Sequence, residues 1–309
     1  MCCAVVLFAA TAFAGGFRLT EENDYFAGRL NDDKYYTQGL ELDYVDDIEL
    51  DRDLMAIRRI YGIRNLMYTP QDIEIPEPQP DDRPWAGLTA GIFQEWKNSR
   101  DGCYMWEYMV GVTGPWSQSD EIQTWMHKVI GSATPMGWSN QTPNEVVANV
   151  TYDRYKLLTK CGREDSWGAD VTEVYGFSLG TAFVNGEYGW LGRAGWCVPS
   201  DYMGGSVLKP TLQQDDKTLS AYLFAQATGR AVLHNVLLGG SLFQDGPSQT
   251  LKPFVFDGKT GVALRFYRVF GSGYDFDLSY AFVCRSMEYY GQEEVETFGS
   301  VMLCVSREL

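Results

Sequence analysis

Apolar and polar residues alternate with a period of two along many segments of this chain, and this pattern constrains its fold more than any other feature. Three segments show it clearly: Tyr36–Tyr44, Tyr104–Val110 and Asp275–Phe282. In the last segment, four apolar residues share one face: Phe276, Leu278, Tyr280 and Phe282. A period of two is that of a β-strand, whose side chains point alternately to the two sides of its sheet. The chain is therefore predicted to be all-β.

The composition of the two faces indicates which all-β architecture these strands form. The apolar face is rich in aromatic residues, whereas the opposite face mixes acidic residues, small residues and glycine. Strands of about ten residues that are apolar outside and polar inside are what a closed barrel in an outer membrane requires. A soluble β-sandwich also alternates, but its polar face would contact water and its loops would be short. We predict a transmembrane antiparallel β-barrel.

The N-terminal residues resemble an export signal. Ala4–Ala14 is apolar and ends in Ala12-Phe13-Ala14 before Gly15, which fits a small-x-small cleavage site. The stretch is too short to span a bilayer as a helix. The alternative is a buried N-terminal strand. We expect residues 1–14 to be the signal peptide and residues 15–309 to form one barrel domain.

Charge and cysteine content exclude some functions. The formal net charge is −16 over 309 residues, and a nucleic-acid partner would require a basic footprint instead. Five cysteines follow residue 14: Cys103, Cys161, Cys197, Cys284 and Cys304. Their number is odd and they have no C-x-x-C spacing, which argues against a zinc site and against an even disulfide framework. We expect isolated cysteines on apolar faces, with one or two disulfides as the alternative.

Two segments depart from the strand pattern. Ile75–Pro84 is rich in proline, which removes the donors of a strand ladder, and is predicted to be a loop outside the membrane. In Ser119–Gly131, five apolar residues recur at helical spacing: Ile122, Trp125, Met126, Val129 and Ile130. Ser119 is expected to cap this helix and Gly131 to end it.

The chain has two histidines, and they differ in their surroundings. His127 lies off the apolar stripe of the predicted helix, beside Gln123 and Thr124. Histidine is the side chain that titrates nearest neutral pH, so His127 is a candidate general base. The alternative is an ordinary solvent-facing histidine. His234 lies in an apolar run and is expected to be structural.

Several motifs together resemble one protein family. They are Glu22–Phe26, Asp33–Leu40, Tyr68–Pro70, Asp82–Gly87, Val112–Pro115, the segment around His127, and Gly137–Gln141. In combination they are similar to the outer-membrane lipid A deacylases, which remove the 3′-linked acyloxyacyl chain of lipid A. The resemblance spans essentially the whole chain after the signal.

The resemblance implies a twelve-stranded barrel in the bacterial outer membrane that acts as a carboxylic-ester hydrolase. The matching residues imply His127 as general base, Asp24 as a ligand of a calcium ion, and Asn23 and Thr37 as further active-site residues. Its partners would be lipid A of lipopolysaccharide and the lipids of the outer membrane. We expect a monomer.

The residues themselves agree with these roles in part. Regular alternation from Phe17 and Leu19, which face outward, would place Asp24 on the lumen side, and Thr37 also falls on the inward face of its strand. Calcium prefers hard oxygen ligands, which Asp24 can supply. The alternatives are a turn closed by Asp24, lumen packing for Thr37 and a rim position for Asn23.

Two departures from the family pattern leave other functions open. The family has a lysine in the region that matches Gln71–Pro80, where this chain has none, and an acidic residue after the histidine, where this chain has Ser132 and Ala133. Arg83 lies near the first region, and no role is assigned to it. The alternatives are a non-catalytic barrel that binds lipopolysaccharide or serves structure, and a small-solute channel.

Overall fold

The computed structural model describes residues 15–28, 35–46, 56–99, 101–163, 165–200, 202, 218–269 and 273–307. Residues 1–14, which are predicted to be a signal peptide, lie outside the described residues. In the described part of the chain, antiparallel strands form one closed barrel in which each strand pairs with its neighbours in sequence and the last closes on the first. The predicted barrel is confirmed.

The barrel has twelve strands within the described residues. They are β1 (Gly15–Asn23), β2 (Tyr35–Val45), β3 (Ala56–Thr69), β4 (Ala86–Ser99), β5 (Gly102–Thr113), β6 (Val146–Gly162), β7 (Trp167–Gly180), β8 (Phe183–Trp196), β9 (Leu219–Asn235), β10 (Phe254–Phe266), β11 (Tyr274–Arg285) and β12 (Glu296–Arg307).

Polar side chains fill the lumen, as the alternation predicts. Arg64 donates two hydrogen bonds to Glu107, at 2.9 and 2.8 Å, and a third to Glu41 at 2.7 Å. Arg18 links Glu41 to Asp43. Because these residues belong to β1, β2, β3 and β5, their ion pairs join neighbouring strands along one side of the inner wall. A cavity of about 450 Å³ lies beside them in the lumen.

Four irregular connections that the structure describes from end to end meet at one end of the barrel, which we call the loop end. It comprises residues 70–85, 114–145, 236–253 and 286–295. In outer-membrane barrels the long connections face the outside of the cell. The proline-rich segment lies here and contains no strand, as predicted. A short helix, Val236–Gly239, places Leu237 in an apolar cluster with Tyr36 and Leu88.

One longer helix, α1 (Ser119–Ile130), lies in the connection between β5 and β6, where the sequence predicts it. Gly131 ends it with φ 78°, and its N–H donates to the carbonyl of His127. The predicted cap is wrong: Gln118 is the N-cap, and Ser119 is the first helical residue. None of the helices in the described ranges is long and apolar enough to cross a membrane.

The cysteines and the second histidine have structural surroundings. Among the described residues, no disulfide joins any of the five cysteines that follow residue 14, so the alternative of one or two disulfides is wrong. Nε2 of His234 lies 3.0 Å from the carbonyl oxygen of Thr181, in the turn between β7 and β8. This contact fixes the imidazole against the backbone, as expected for a structural histidine.

Candidate active site

The helix α1 lies against the outer wall of the barrel with a polar strip facing inward. Ser119, Gln123 and His127 are its buried residues, and they recur every fourth position. His127 is only 6% exposed. By contrast Trp125 and Val129, which belong to the apolar stripe, are 61% and 63% exposed. The solvent-facing alternative for His127 is therefore wrong.

Beneath this helix, the outward face of β3 changes from exposed apolar residues to buried residues that include polar ones. Ile63 is exposed and apolar, whereas Asn65 and Thr69, on the same face, are polar and buried. Arg64, Leu66 and Tyr68, which alternate with these residues, line the cavity in the lumen, whereas Met67 is a buried apolar residue of the outward face. The Asn65 amide donates to Ser119 Oγ at 3.1 Å and to Thr89 Oγ1 at 2.7 Å. These bonds join the start of α1 to the barrel wall.

Thr37 lies on the outward face, and the inward position expected for it is wrong. The pairing of β2 with β3 shifts register between Tyr36 and Gln38, which is a β-bulge. Tyr36 still faces the lumen, where its hydroxyl donates to Glu22 at 2.6 Å. Thr37 Oγ1 instead lies 2.7 Å from Thr69 Oγ1. The extra residue turns the Thr37 hydroxyl toward the wall that α1 covers.

Asn23 connects the end of β1 to Thr37. Its Nδ2 donates to the Thr37 carbonyl at 2.9 Å, and its Oδ1 accepts from the N–H of Tyr25. The strand ends at Asn23, and a 3-10 helix, Asp24–Ala27, follows. Asp24 therefore does not continue the inward face of the strand as expected. Its carboxylate is buried and accepts a hydrogen bond from the Tyr25 N–H at 2.8 Å.

A backbone carbonyl orients the His127 ring. Nδ1 lies 2.5 Å from the carbonyl oxygen of Ala133, which follows the end of α1. A carbonyl only accepts, so this contact places a proton on Nδ1 of the neutral imidazole. Nε2 is then the nitrogen that carries the lone pair. This is the tautomer that a general base needs if Nε2 is to take the proton.

A tryptophan pair supports the same face of the helix. Trp138 Nε1 donates to the buried Gln123 Oε1 at 2.6 Å, and its ring packs on Trp85 with centroids 5.0 Å apart. Ile73 completes this small core, and its carbonyl accepts from the N–H of Met136. The loop at 70–85 and the segment after α1 thus hold each other beneath the helix.

Arg83 belongs to a different environment. Its side chain is fully buried, its Nη1 lies 2.8 Å from Glu288 Oε2, and its guanidinium stacks on the lumen-facing ring of Tyr68 at 3.8 Å. Burial opposes ionisation of Glu288, but the charges of Arg83 and Arg285 outweigh it and hold the pKa of this carboxyl below its usual range. Arg83 therefore closes the loop end and does not take the place of the missing lysine.

The side chains that could bind a metal ion at the loop end, which we also call the rim, offer oxygen atoms. Among the described residues, no three His, Cys, Asp or Glu side chains form a group that could hold a metal ion. The rim offers the carboxylate of Asp24 and the hydroxyls of Thr37 and Thr69. Hard oxygen donors suit calcium, whose affinity falls as the number of charged ligands decreases. These residues fit a calcium ion in chemistry, with one carboxylate favouring weak binding.

Four residues of this arrangement were not predicted as site residues: Asn65, Thr69, Ser119 and Gln123. A signal for the first two is present in the sequence. On the outward face of β3, exposed Tyr61 and Ile63 give way to Asn65 and Thr69 toward the loop end. A polar residue on a lipid-facing position is costly, so it indicates a covering element or a function.

Comparisons with solved structures find barrels of similar extent. LpxR from Salmonella typhimurium matches with a TM-score of 0.78 and 18% identity, over 94% of this chain and 99% of that chain. The β-domain of the Bordetella autotransporter BrkA matches at a TM-score of only 0.48 and 8% identity, over 94% of this chain and 98% of that chain. No curated protein sequence matches the chain.

The family comparison covers nearly the entire sequence. The profile of a family described as "Outer membrane protein LpxR" matches residues 1–307. The strand number, the closed barrel and the similarity to the Salmonella structure agree with this match. The chain therefore belongs to the LpxR family of outer-membrane proteins.

Proposed function

We propose that this protein is a calcium-assisted ester hydrolase that removes the 3′-linked acyloxyacyl chain of lipid A. The observation that carries the proposal is the polar strip of α1 at the outer wall of an outer-membrane barrel, in which Ser119 bonds to Asn65 of the wall and His127 is buried. Polar groups on a lipid-facing wall are unfavourable unless they serve a function or are covered. A lipid of the surrounding leaflet is the substrate that can reach such a site.

His127 would act as the general base. The Ala133 carbonyl holds the proton on Nδ1, so Nε2 accepts a proton from water as the water oxygen bonds to the ester carbonyl carbon. The tetrahedral intermediate then collapses, and the protonated Nε2 returns its proton to the departing sugar oxygen. The products are a free fatty acid and a sugar hydroxyl, so atoms and charges balance.

Asn23 and Thr37 would hold the substrate carbonyl. Asn23 has two amide N–H groups, one of which donates to the Thr37 carbonyl; the other is proposed to donate to the developing oxyanion. Calcium held by Asp24 and rim oxygens would add positive charge near that oxygen. The bond between the Thr37 and Thr69 hydroxyls fixes the wall on which the ester lies.

A second candidate is a barrel of the same family that binds lipopolysaccharide without cleaving it. It is favoured by the missing lysine in 71–80 and by Ser132 and Ala133, which occupy the region where an acidic residue follows the histidine in the family. The channel alternative is disfavoured by the lumen ion pairs of Arg18 and Arg64 and by the apolar cluster at the loop end.

Mass spectrometry of lipid A tests the proposal. Purified protein is incubated with lipid A in detergent, with calcium or with a chelator, beside His127→Ala and the matched control His234→Ala. We expect a calcium-dependent loss of one acyloxyacyl unit with the wild type and the control, and none with His127→Ala. Heat-modifiable gel migration monitors folding. Unchanged lipid A of several types with folded wild-type protein would favour the non-catalytic barrel.

A further inference from the structure

The helix α1 has three strips along its surface rather than two. One is the buried polar strip of Ser119, Gln123 and His127. Successive residues turn by about 100°, which places the remaining side chains on opposite flanks of that strip. One flank is apolar: Ile122, Trp125, Met126 and Val129. The other is charged or polar: Asp120, Glu121, Thr124 and Lys128.

Trp125 and Val129 of the apolar flank are exposed on the isolated chain, and Ile122 and Met126 are half-buried. Besides Trp125 and Val129, Ile130 at the end of the helix is 64% exposed. Trp116 before the helix and Met136 after it are also exposed. A helix on a soluble protein buries its apolar side, and a contiguous exposed apolar patch marks a site of interaction. In α1 the side toward the protein is the polar strip, so the apolar flank must be covered by something else.

The position of the patch indicates what covers it. A short 3-10 helix, Gly114–Ser117, joins α1 to β5, whose outward residues Tyr108 and Val110 are exposed and apolar. Val146 on β6 continues that surface. This surface faces the hydrocarbon of the outer membrane. Trp116 stands where β5 leaves the sheet, so the patch continues the lipid-facing band toward the loop end.

We propose that α1 is an interfacial membrane helix whose apolar flank lies among the acyl chains of the outer leaflet. Its charged flank then faces the headgroups and water, which is the arrangement of an amphipathic helix in the plane of a membrane. The occupant of the patch is lipid hydrocarbon and not a protein. The inference rests on the membrane location and the three strips, so it holds whether or not the chain cleaves lipid A.

Photocrosslinking tests the placement. Benzoylphenylalanine replaces Val129 on the apolar flank, Thr124 on the charged flank, or Leu223 on the outward face of β9 as a positive control. Each full-length variant is folded into dioleoylphosphatidylcholine vesicles, checked by heat-modifiable migration and irradiated. We expect several-fold more lipid adducts at 129 than at 124, and a yield at 129 comparable to that at 223. Equal yields at 129 and 124, or adducts at 129 only to a second protein chain, would overturn the proposal.

Fluorescence in brominated phosphatidylcholine vesicles gives a second measurement. We compare the wild type with Trp125→Phe and with Trp138→Phe, which removes the buried tryptophan beneath the helix. Trp125→Phe is expected to remove a component that brominated acyl chains quench, whereas Trp138→Phe is expected to remove an unquenched one. If the component lost with Trp125 is not quenched, the flank does not lie in hydrocarbon.

Discussion

Replacing Arg83 by methionine tests whether this guanidinium holds the loop end together. Its Nη1 lies 2.8 Å from Glu288 Oε2 and 3.6 Å from Glu296 Oε1, and its guanidinium carbon lies 3.8 Å from the centre of the Tyr68 ring. The side chain is 0% exposed. Methionine keeps much of the apolar stem of arginine, so the variant removes mainly the charge and its hydrogen bonds.

The contacts set the size of the effect. Removing one partner of a buried ion pair costs roughly 3–5 kcal/mol, because the other charge stays buried without compensation. The stack on Tyr68 adds about 0.5–2 kcal/mol, part of which methionine retains through its contacts with aromatic rings. We therefore expect Arg83→Met to lower the free energy of unfolding by roughly 3–5 kcal/mol at neutral pH.

The loss of stability caused by Arg83→Met should be larger at neutral pH than in acid. The pKa of Glu288 is lowered in the folded protein, because the charges of Arg83 and Arg285 outweigh its burial. A carboxyl whose pKa is lowered by folding stabilises the folded protein fully at pH values above its pKa in the unfolded chain, which is about 4.3 for glutamate. This stabilisation is lost as the pH falls through the pKa that the carboxyl has in the folded protein. Arg83→Met removes it, so wild type and variant should converge in acid.

Urea unfolding of the barrel in phospholipid vesicles, followed by tryptophan fluorescence, measures both quantities. The double variant Arg83→Met/Glu288→Gln should recover part of the lost stability. Glutamine replaces the Glu288 carboxylate, so only the Glu296 carboxylate still lacks the charge of Arg83. A loss under about 1 kcal/mol, the range of an exposed pair, would refute the structural role of Arg83. A loss that is the same at pH 4 and pH 7 would refute the electrostatic cause.

Further outcomes follow from the rim and the lumen. Thr37→Val should cost about 1–3 kcal/mol by leaving the buried Thr69 hydroxyl unpaired, and Thr37→Val/Thr69→Val should cost less than the sum of the single variants in the same unfolding assay. Asp24→Asn should raise the calcium concentration needed for half-maximal release of fatty acid, whereas an unchanged calcium dependence would place the ion elsewhere. In planar bilayers the wild type should open no stable pores, because the ion-paired side chains of Arg64 and Glu107 occupy the lumen beside those of Arg18 and Glu41; steady conductance steps would contradict this.

Periodicity predicted the barrel and the helix because both depend on residues close in sequence. The orientation of α1 could not be obtained in the same way. The rule that a helix buries its apolar stripe assumes that water surrounds the protein. Next to a membrane the surroundings of Trp125 and Val129 are hydrocarbon, so the buried side of α1 is the polar one, with His127.

The positions of Thr37 and Asp24 were missed for a local reason. Simple alternation assumes that each strand is regular to its end. A bulge after Tyr36 and the 3-10 helix after Asn23 break that assumption at the loop end, where the candidate site lies. The chemistry of these residues was readable from the sequence, but the side of the wall on which they lie depends on the pairing of whole strands.

The bulge in β2 allows one strand to place a side chain on the outer wall without changing which of its other side chains face the lumen. Tyr36 and Glu41, on either side of the bulge, face the interior, and one inserted residue between them turns a hydroxyl to the outer wall beneath α1 without disturbing the pairing of the rest of the strand. A single-residue deletion at Thr37 would keep the barrel closed and erase the outward hydroxyl. An evolving outer-membrane barrel can thus acquire or lose a polar group on its outer face by a change in length of one residue.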